Sequence, residues 1–199
     1  MLYAMQTFAQ TEDLAVFLGG NFQKIETHKN LGADLTVRYY FTDKLSFGGQ
    51  LLYASKNYRE DRLSLESFRF NVVTQYDVFQ RDNMYAGFFL NNGVKYSALR
   101  NLDDVYLEEN NDEYGMPYFV ETARLLNKDF FYILTPGAEA SVRIATISKE
   151  DNAGVYITLK AGYEFGFGRD HALRLSNPHG FIGSVGITFK GSTKSEETY

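Results

Sequence analysis

The residues best suited to acid–base chemistry in this chain are its three histidines, His28, His171 and His179. Histidine titrates near neutral pH, so it can act as a general base or bind a metal. All three lie in polar connecting segments, where a metal site or a His-assisted lipid hydrolase or acyltransferase could be built. Ser64, Ser67 and Asp61 occupy another connection, and no catalytic motif joins them to a histidine. Solvated loop histidines are the simpler interpretation.

A second cluster of reactive groups lies in residues 98–128, the longest stretch without a regular pattern. Its acids are Asp103, Asp104, Glu108, Glu109, Asp112 and Glu113. Clustered carboxylates can bind calcium, but the spacing is not that of an EF-hand, so a solvated charge run is the simpler interpretation. Aromatic residues and methionine are common interface anchors, and this stretch contains Tyr106, Tyr114, Met116, Tyr118 and Phe119. We predict a partner-binding loop here. Two local structures are open: an extension of the flanking strands beyond the membrane and a short helix at residues 120–127.

Strands must position these residues, because polar and apolar side chains alternate along most of the chain. Successive side chains leave opposite faces of a strand, so a period of two predicts β-structure. The clearest run has on one face Val155, Ile157, Leu159, Ala161, Tyr163, Phe165 and Phe167. Such a run exceeds the usual strand of about 5–6 residues. It matches the roughly 9–11 residues that a tilted strand needs to cross a bilayer.

The same alternation predicts eight strands. Six span about residues 13–25, 31–41, 45–55, 65–79, 84–97 and 130–147; two more lie within 154–190, joined by residues 169–179. Phe89 and Asn92 break the pattern, which predicts a bulge. Pro136 is awkward in a central strand and predicts a bulge or a rim position. Short connections alternate with mostly longer ones, as in barrels with short periplasmic turns and longer extracellular loops. We therefore predict an all-β fold, a closed antiparallel up-and-down transmembrane β-barrel.

Alternation alone leaves open which face is wet. A soluble lipocalin-like barrel would enclose a ligand with its apolar face, whereas a membrane barrel turns that face to lipid. Two features favour the membrane barrel. The polar faces carry few charges, only Lys160 and Glu164 in the last two strands, against about 25–35% charged residues on a soluble surface. The 17 Phe and 15 Tyr residues also gather near strand ends, where interfacial girdles form.

The charges on the polar faces are expected to pair inside the barrel. An eight-stranded barrel is just wide enough for side chains to fill, and an unpaired buried ion costs several kcal/mol. The predicted interior network consists of Asp34, Arg38, Arg69, Asp77, Lys95, Glu139, Arg143, Lys160 and Glu164. Such an interior is a plug, so a general-diffusion pore is not expected.

Length, net charge and composition bound the number of domains and the kinds of partner and metal site. The 199 residues suit a single domain. A net charge of −5 without a basic stripe argues against a nucleic-acid partner, and the absence of Cys excludes disulfides and Cys-ligated metals. No cofactor is expected. Residues 1–10 (MLYAMQTFAQ) resemble the end of a secretory signal, with the barrel in residues 11–190 and a polar tail at 191–199.

The eight alternating segments resemble a known superfamily. With short turns on one side and a last strand ending Gly186-Ile187-Thr188-Phe189, they look like the small outer-membrane barrels of the OmpA/OmpX-like superfamily of Gram-negative bacteria. The resemblance covers nearly the whole chain and implies an outer-membrane location and contact with outer-membrane lipids. Such barrels anchor, adhere or scaffold, and a few are enzymes.

We therefore expect a non-enzymatic barrel that acts in structure or interaction, with another membrane or surface protein as the partner of its extracellular loops. One alternative is a lipid-modifying enzyme with its site in those loops. The second alternative is the soluble ligand-binding barrel.

Overall fold

A closed antiparallel barrel forms the body of the protein in its computed structural model, and the predicted fold class is confirmed. The structure describes residues 13–25, 28–58, 62–81, 83–111, 113–148, 153–171 and 175–192. The barrel strands within these ranges are β1 (Asp13–Ile25), β2 (His28–Tyr40), β3 (Leu45–Tyr58), β4 (Leu63–Arg81), β5 (Met84–Asn111), β6 (Pro117–Ser148), β7 (Ala153–Phe167) and β10 (His179–Ser192). Between β7 and β10, the short strands β8 (Arg169–Asp170) and β9 (Leu175–Ser176) pair with each other.

The barrel closes where the first strand meets the last. β1 pairs with β10 from Asp13 opposite Ser192 to Ile25 opposite Gly180, and with β2 on its other side. Closure lets every strand of the barrel body satisfy its backbone groups internally, which a lipid environment requires. β10 continues through Ser192, two residues into the predicted tail; residues 193–199 and the signal-like residues 1–10 lie outside the described ranges. In the described part of the chain, no helix is long and apolar enough to span a membrane.

The polar face of the sheet points inward and the apolar face outward. Along β2, Thr36 and Arg38 are each 1% exposed, whereas their neighbours Leu35 and Val37 are 39% and 40% exposed. Aromatic rings contact one another near both ends of the wall, in the pairs Phe41–Phe47, Tyr53–Phe68 and Tyr96–Phe130. This arrangement suits a bilayer and is the reverse of a soluble ligand-binding barrel.

The predicted bulge at Phe89 and Asn92 is wrong. β5 pairs with β6 without a shift over residues 84–99. Phe89 points inward because Gly137 opposite it has no side chain: a Cβ on Gly137 would lie 2.2 Å from the ring atom Cζ of Phe89. Asn92 keeps the parity of the strand and faces outward. The two residues break the chemical pattern while leaving the register intact.

Pro136 lies in the middle of β6, so neither of the predicted accommodations is correct. It pairs with Leu90 of β5. On the β7 side, the ladder is interrupted between Leu134 and Gly137, but the register on the two sides of the gap is the same. Proline has no N–H to donate, and local loss of pairing with β7 accommodates it.

Residues 98–111 and 117–128 extend β5 and β6 as a long hairpin, so the predicted extension of the strands is confirmed and the short helix predicted at residues 120–127 is wrong. β5 runs out to Asn111 and β6 starts at Pro117, with two irregularities in their register, after Leu99 and after Asn101. Aromatic and β-branched residues at 118–122 favour a strand. β4 accompanies β5 only to Asn101, and β7 accompanies β6 only from Tyr132. We call residues 102–131, where β5 and β6 pair only with each other in the described ladder, the hairpin arm.

Candidate functional site

An ion pair bridges opposite walls near one end of the barrel interior. Nη1 and Nη2 of Arg38 on β2 donate to Oε2 and Oε1 of Glu139 on β6, over 2.9 and 2.7 Å. Both side chains are 1% exposed. Asp77 lies in the same layer and accepts from Gln75 at 2.7 Å and from the hydroxyl of Tyr40 at 3.1 Å. The bidentate geometry of the Arg38–Glu139 pair makes its charge-assisted hydrogen bonds strong.

A second layer centres on Asp34. Nζ of Lys160 lies 3.5 Å from Oδ2 of Asp34 and donates to the Thr36 hydroxyl at 2.8 Å. Nε2 of Gln50 donates to both carboxylate oxygens of Asp34 at 3.1 Å. The Oε1 atom of Gln50 accepts from Asn71 and Asn91 at 2.9 and 2.8 Å. Neutral amides therefore carry much of the network that charges alone were predicted to form.

The third layer places two cations on one carboxylate. Glu164 accepts from Nε of Arg69 at 2.5 Å, from Nη2 of Arg69 at 3.1 Å and from Nζ of Lys95 at 3.3 Å. The three side chains are at most 2% exposed. Because three different strands contribute them, this triad ties distant parts of the wall together.

Arg143, also in the predicted network, contacts a tyrosine near one end of the barrel. Its Nε and Nη2 atoms donate to the Tyr156 hydroxyl at 3.0 and 2.5 Å. Near the same end of the barrel, Lys190 is 8% exposed and its Nζ lies 3.8 Å from the Tyr40 ring centre. The predicted network omits Lys190. Lys190 is two positions from Thr188 on β10, so the two side chains share a face. This spacing could have placed Lys190 in the interior from the sequence alone.

Between the ion-paired layers the barrel interior has little free volume, whereas a cavity of about 250 Å³ lies at the end beside Tyr85, Tyr156 and Lys190. Two cavities among the network residues, one beside Asn71 and one beside Gln75, each have a volume of about 10 Å³, room for about one water molecule. Phe17, Phe89 and Phe131 also point inward and are at most 8% exposed. Between the layers, side chains fill the described interior.

The hairpin arm presents uncovered apolar side chains on both of its faces. Leu107 and Phe119 share one face and are 64% and 63% exposed. Tyr106 and Tyr118 share the other and are each 48% exposed. Tyr114 and Met116 at the tip are exposed as well. An isolated two-stranded ribbon is marginally stable in water, so the arm would gain stability from a partner that covers one face.

The arm is strongly acidic. Between residues 103 and 121 the chain has no Lys, Arg or His, and its acids are Asp103, Asp104, Glu108, Glu109, Asp112, Glu113 and Glu121. Asp103 and Asp104 pair with Arg62 and Arg124 at 2.7 and 3.0 Å, with both pairs exposed. Among the described residues, which exclude Asp112, no three His, Asp or Glu side chains converge as metal ligands.

The three histidines have separate partners. His28 Nδ1 lies 2.7 Å from the Tyr58 hydroxyl, and burial raises the pKa of Tyr58. His179 Nδ1 lies 3.1 Å from the carbonyl oxygen of Asn177. Barrel closure places His28 and His179 on the two strands that flank β1, because Ile25 pairs with His28 on one side and with Gly180 on the other. Ser64 points inward and is 6% exposed, and Asp61 lies outside the described residues.

His171 has the geometry of an acid–base pair. Its backbone N–H donates to Oδ2 of Asp129 at 2.5 Å, and its Nδ1 lies 2.7 Å from Oδ1. A carboxylate only accepts hydrogen bonds, so Nδ1 carries the proton and Nε2 is the basic nitrogen. A cavity of about 480 Å³ adjoins His171 and also touches Ser176. No sequence pattern points to this pair, whose members are 42 positions apart.

Comparison with known proteins yields fold relatives. No protein-family model matches the chain, and no curated protein matches it. Among solved structures, it is similar to Ail, the attachment invasion locus protein of Yersinia pestis, with 12% identity and a TM-score of 0.52 over 91% of this chain and 99% of that chain. Ail in complex with the heparin analogue sucrose octasulfate gives 12% identity and a TM-score of 0.51 over the same shares.

Neisserial surface protein A (NspA) shows the same architecture at a similar level. Its identity is 10% and its TM-score 0.57 over 89% of this chain and 95% of that chain. With sequence identities this low, these similarities show a shared architecture and nothing further. The closed sheet, its outward apolar face and these likenesses show that the chain has the fold of the small outer-membrane β-barrels.

Proposed function

We propose that this outer-membrane barrel is a non-enzymatic anchor that binds a protein partner through the hairpin arm. The exposed apolar side chains on both faces of the arm carry the proposal. Leu107 and Phe119 lie beyond the girdle of the wall, so lipid does not cover them. A partner surface that packs on one face would remove this apolar area from water, which is the main driving force of association.

The charge of the arm selects the chemistry of the partner. With no basic residue between positions 103 and 121, the arm attracts cationic surfaces and repels polyanions. The heparin-analogue complex of Ail is therefore a poor guide to this chain. A basic surface with exposed apolar residues fits the arm best.

The barrel itself serves as the anchor and does not conduct solutes by general diffusion. Its three ion-paired layers span opposite walls, and the cavities between them hold about one water each. Moving a solute through the barrel would require breaking buried charge pairs, each at a cost of several kcal/mol.

The double variant Leu107→Ser/Phe119→Ser tests the arm. In nanodiscs, we expect it to bind a fluorescent peptide of alternating Lys and Val at least about tenfold more weakly than the native protein, because two apolar anchors are lost. Fluorescence anisotropy gives the two Kd values. Ile147→Ser is the matched control, since Ile147 is also 64% exposed but lies at the opposite end of β6. Equal weakening by the control, or none in the arm variant, would contradict the proposal.

The Asp129–His171 pair favours one second candidate, a lipid hydrolase. It supplies the base and its orienting carboxylate, the two groups that activate a hydroxyl nucleophile. On the proposed non-enzymatic role, native protein in nanodiscs should release fatty acid from phospholipid no faster than empty nanodiscs, and His171→Ala should change nothing. Hydrolysis by the native protein that disappears in His171→Ala would replace the proposal with the enzyme.

A further inference from the structure

The barrel end opposite the hairpin arm contains a polar cavity, which we call the turn-end cavity. It has a volume of about 250 Å³, and the described side chains that line it include Arg81, Arg143, Lys190, Asp13, Tyr85 and Tyr156. Three cations and one acid give this described lining an excess of two positive charges. A cavity lined mostly by one sign of charge concentrates ions of the opposite sign. The turn-end cavity therefore suits an anion.

Lys190 lines the turn-end cavity from β10 and is only 8% exposed. In the described part of the chain, its ammonium has no carboxylate oxygen within 4.0 Å. Asp77, in the neighbouring layer, accepts hydrogen bonds from Gln75 and Tyr40 instead. Nζ of Lys190 lies 3.8 Å from the ring centre of Tyr40 and 5.2 Å from that of Tyr85. Aromatic faces attract a cation but carry no net charge, so the two rings position the ammonium without neutralising it. An anion in the cavity would offset the cost of burying this charge.

Arg143 lines the same cavity from β6 and is held in place by β7. Its Nε donates to the Tyr156 hydroxyl at 3.0 Å, and its guanidinium carbon lies 5.2 Å from the Tyr156 ring centre. Gly154 makes room for this side chain, because a Cβ there would lie 2.9 Å from Nε of Arg143. Tyr156 in turn packs edge to face against Tyr85, with ring centres 5.3 Å apart. A guanidinium that is positioned in this way suits an anion with several oxygens, since its planar N–H groups match the geometry of phosphate.

We propose that the turn-end cavity binds a small dianion with a terminal phosphate group, whose oxygens contact Arg143 and Lys190. The two negative charges of the phosphate match the excess of positive charge in the described lining, to which the exposed Arg81 contributes. Pockets for drug-sized ligands have volumes of about 300–1,000 Å³, so the smaller turn-end cavity selects inorganic phosphate or a short phosphomonoester. The site lies at the opposite end of the barrel from the hairpin arm, so the proposal stands or falls separately from the proposed function.

Isothermal titration calorimetry on the full chain in phosphatidylcholine nanodiscs tests the site. Inorganic phosphate and glycerol phosphate are titrated separately, at a pH of about 7.5, where both are mostly dianions. We expect the native protein to bind at least one of them with a Kd below about 1 mM. Lys190→Gln removes the ammonium and should weaken binding at least about tenfold. Lys44→Gln is the matched control, because it removes the same charge from an exposed turn at the same end of the barrel and should leave the Kd unchanged.

Two further variants separate the loss of charge from a loss of packing. Lys190→Arg keeps the charge and should retain binding, whereas Arg143→Gln should weaken binding as Lys190→Gln does. The heat-dependent shift on a gel verifies that each variant is folded. Tighter binding of glycerol phosphate than of inorganic phosphate supports an ester as the ligand, and the reverse order supports the free anion. Binding that survives both Lys190→Gln and Arg143→Gln, binding that falls equally in Lys44→Gln, or no measurable binding by the native protein overturns the site.

Discussion

Replacing Glu164 by glutamine is expected to lower the free energy of unfolding by about 3–5 kcal/mol. The substitution keeps the size of the side chain but leaves Arg69 and Lys95 as two buried cations without their shared carboxylate. Removing one partner of a buried pair is costly, because the remaining charge has lost water and gained nothing in exchange. Urea unfolding in detergent micelles, followed by the gel shift between folded and unfolded barrel, measures the loss.

Glu66→Gln is the matched control for this prediction. Glu66 also pairs with an arginine, Arg100, at 3.2 Å, but both side chains are more than a quarter exposed. Pairs near a surface contribute about 0–1 kcal/mol, so the control should lose less than about 1 kcal/mol. If Glu164→Gln were as mild as Glu66→Gln, the triad would not support the fold as described.

Adding a single methyl group at Gly48 is expected to have the other large effect. A Cβ on Gly48 would lie 1.9 Å from the carbonyl oxygen of Val37 and 2.7 Å from Cα of Arg38, both backbone atoms of β2. Neither can rotate away, so β2 and β3 would have to separate. Overpacking commonly costs about 1–3 kcal/mol and sometimes more, and we expect Gly48→Ala to reach at least the upper value. Its urea midpoint should fall accordingly.

The neighbouring glycine provides a direct contrast. A Cβ on Gly49 would meet nothing within 4 Å, because this position faces outward. Gly49→Ala should therefore be neutral or slightly stabilising, since it removes the excess conformational freedom of glycine in the unfolded chain. Opposite outcomes at two adjacent glycines are hard to obtain unless the strand faces are assigned correctly. Equal destabilisation at both would contradict the assignment.

The strands and their faces were predictable because a single variable, parity, decides burial in a barrel. Leu35 and Arg38 could be assigned to lipid and interior from their positions alone, and the structure agrees. Which interior residues touch was not predictable. Arg38 and Glu139 are 101 positions apart, and they meet only because strand tilt and register bring opposite walls to the same height.

Other differences between prediction and structure arose where the polarity of a side chain does not follow the direction in which it points. Phe89 is apolar yet points inward, because the space above Gly137 accepts its ring. The hairpin arm lacks strict alternation because both of its faces are exposed. Successive positions therefore do not differ in burial there. The pairing of Asp129 with His171 depends on a connection whose path the sequence does not specify.

Lipid exposure of the apolar face is the central claim, and nitroxide accessibility tests it most directly. The chain has no Cys, so Leu159→Cys and Leu107→Cys each place one label. Both leucines are exposed, at 59% and 64%, but only Leu159 lies in the wall. In bilayers, the label at Leu159 should be relaxed by oxygen and shielded from a water-soluble nickel chelate, with the reverse at Leu107. Equal access of the chelate to both labels would contradict a membrane-spanning barrel.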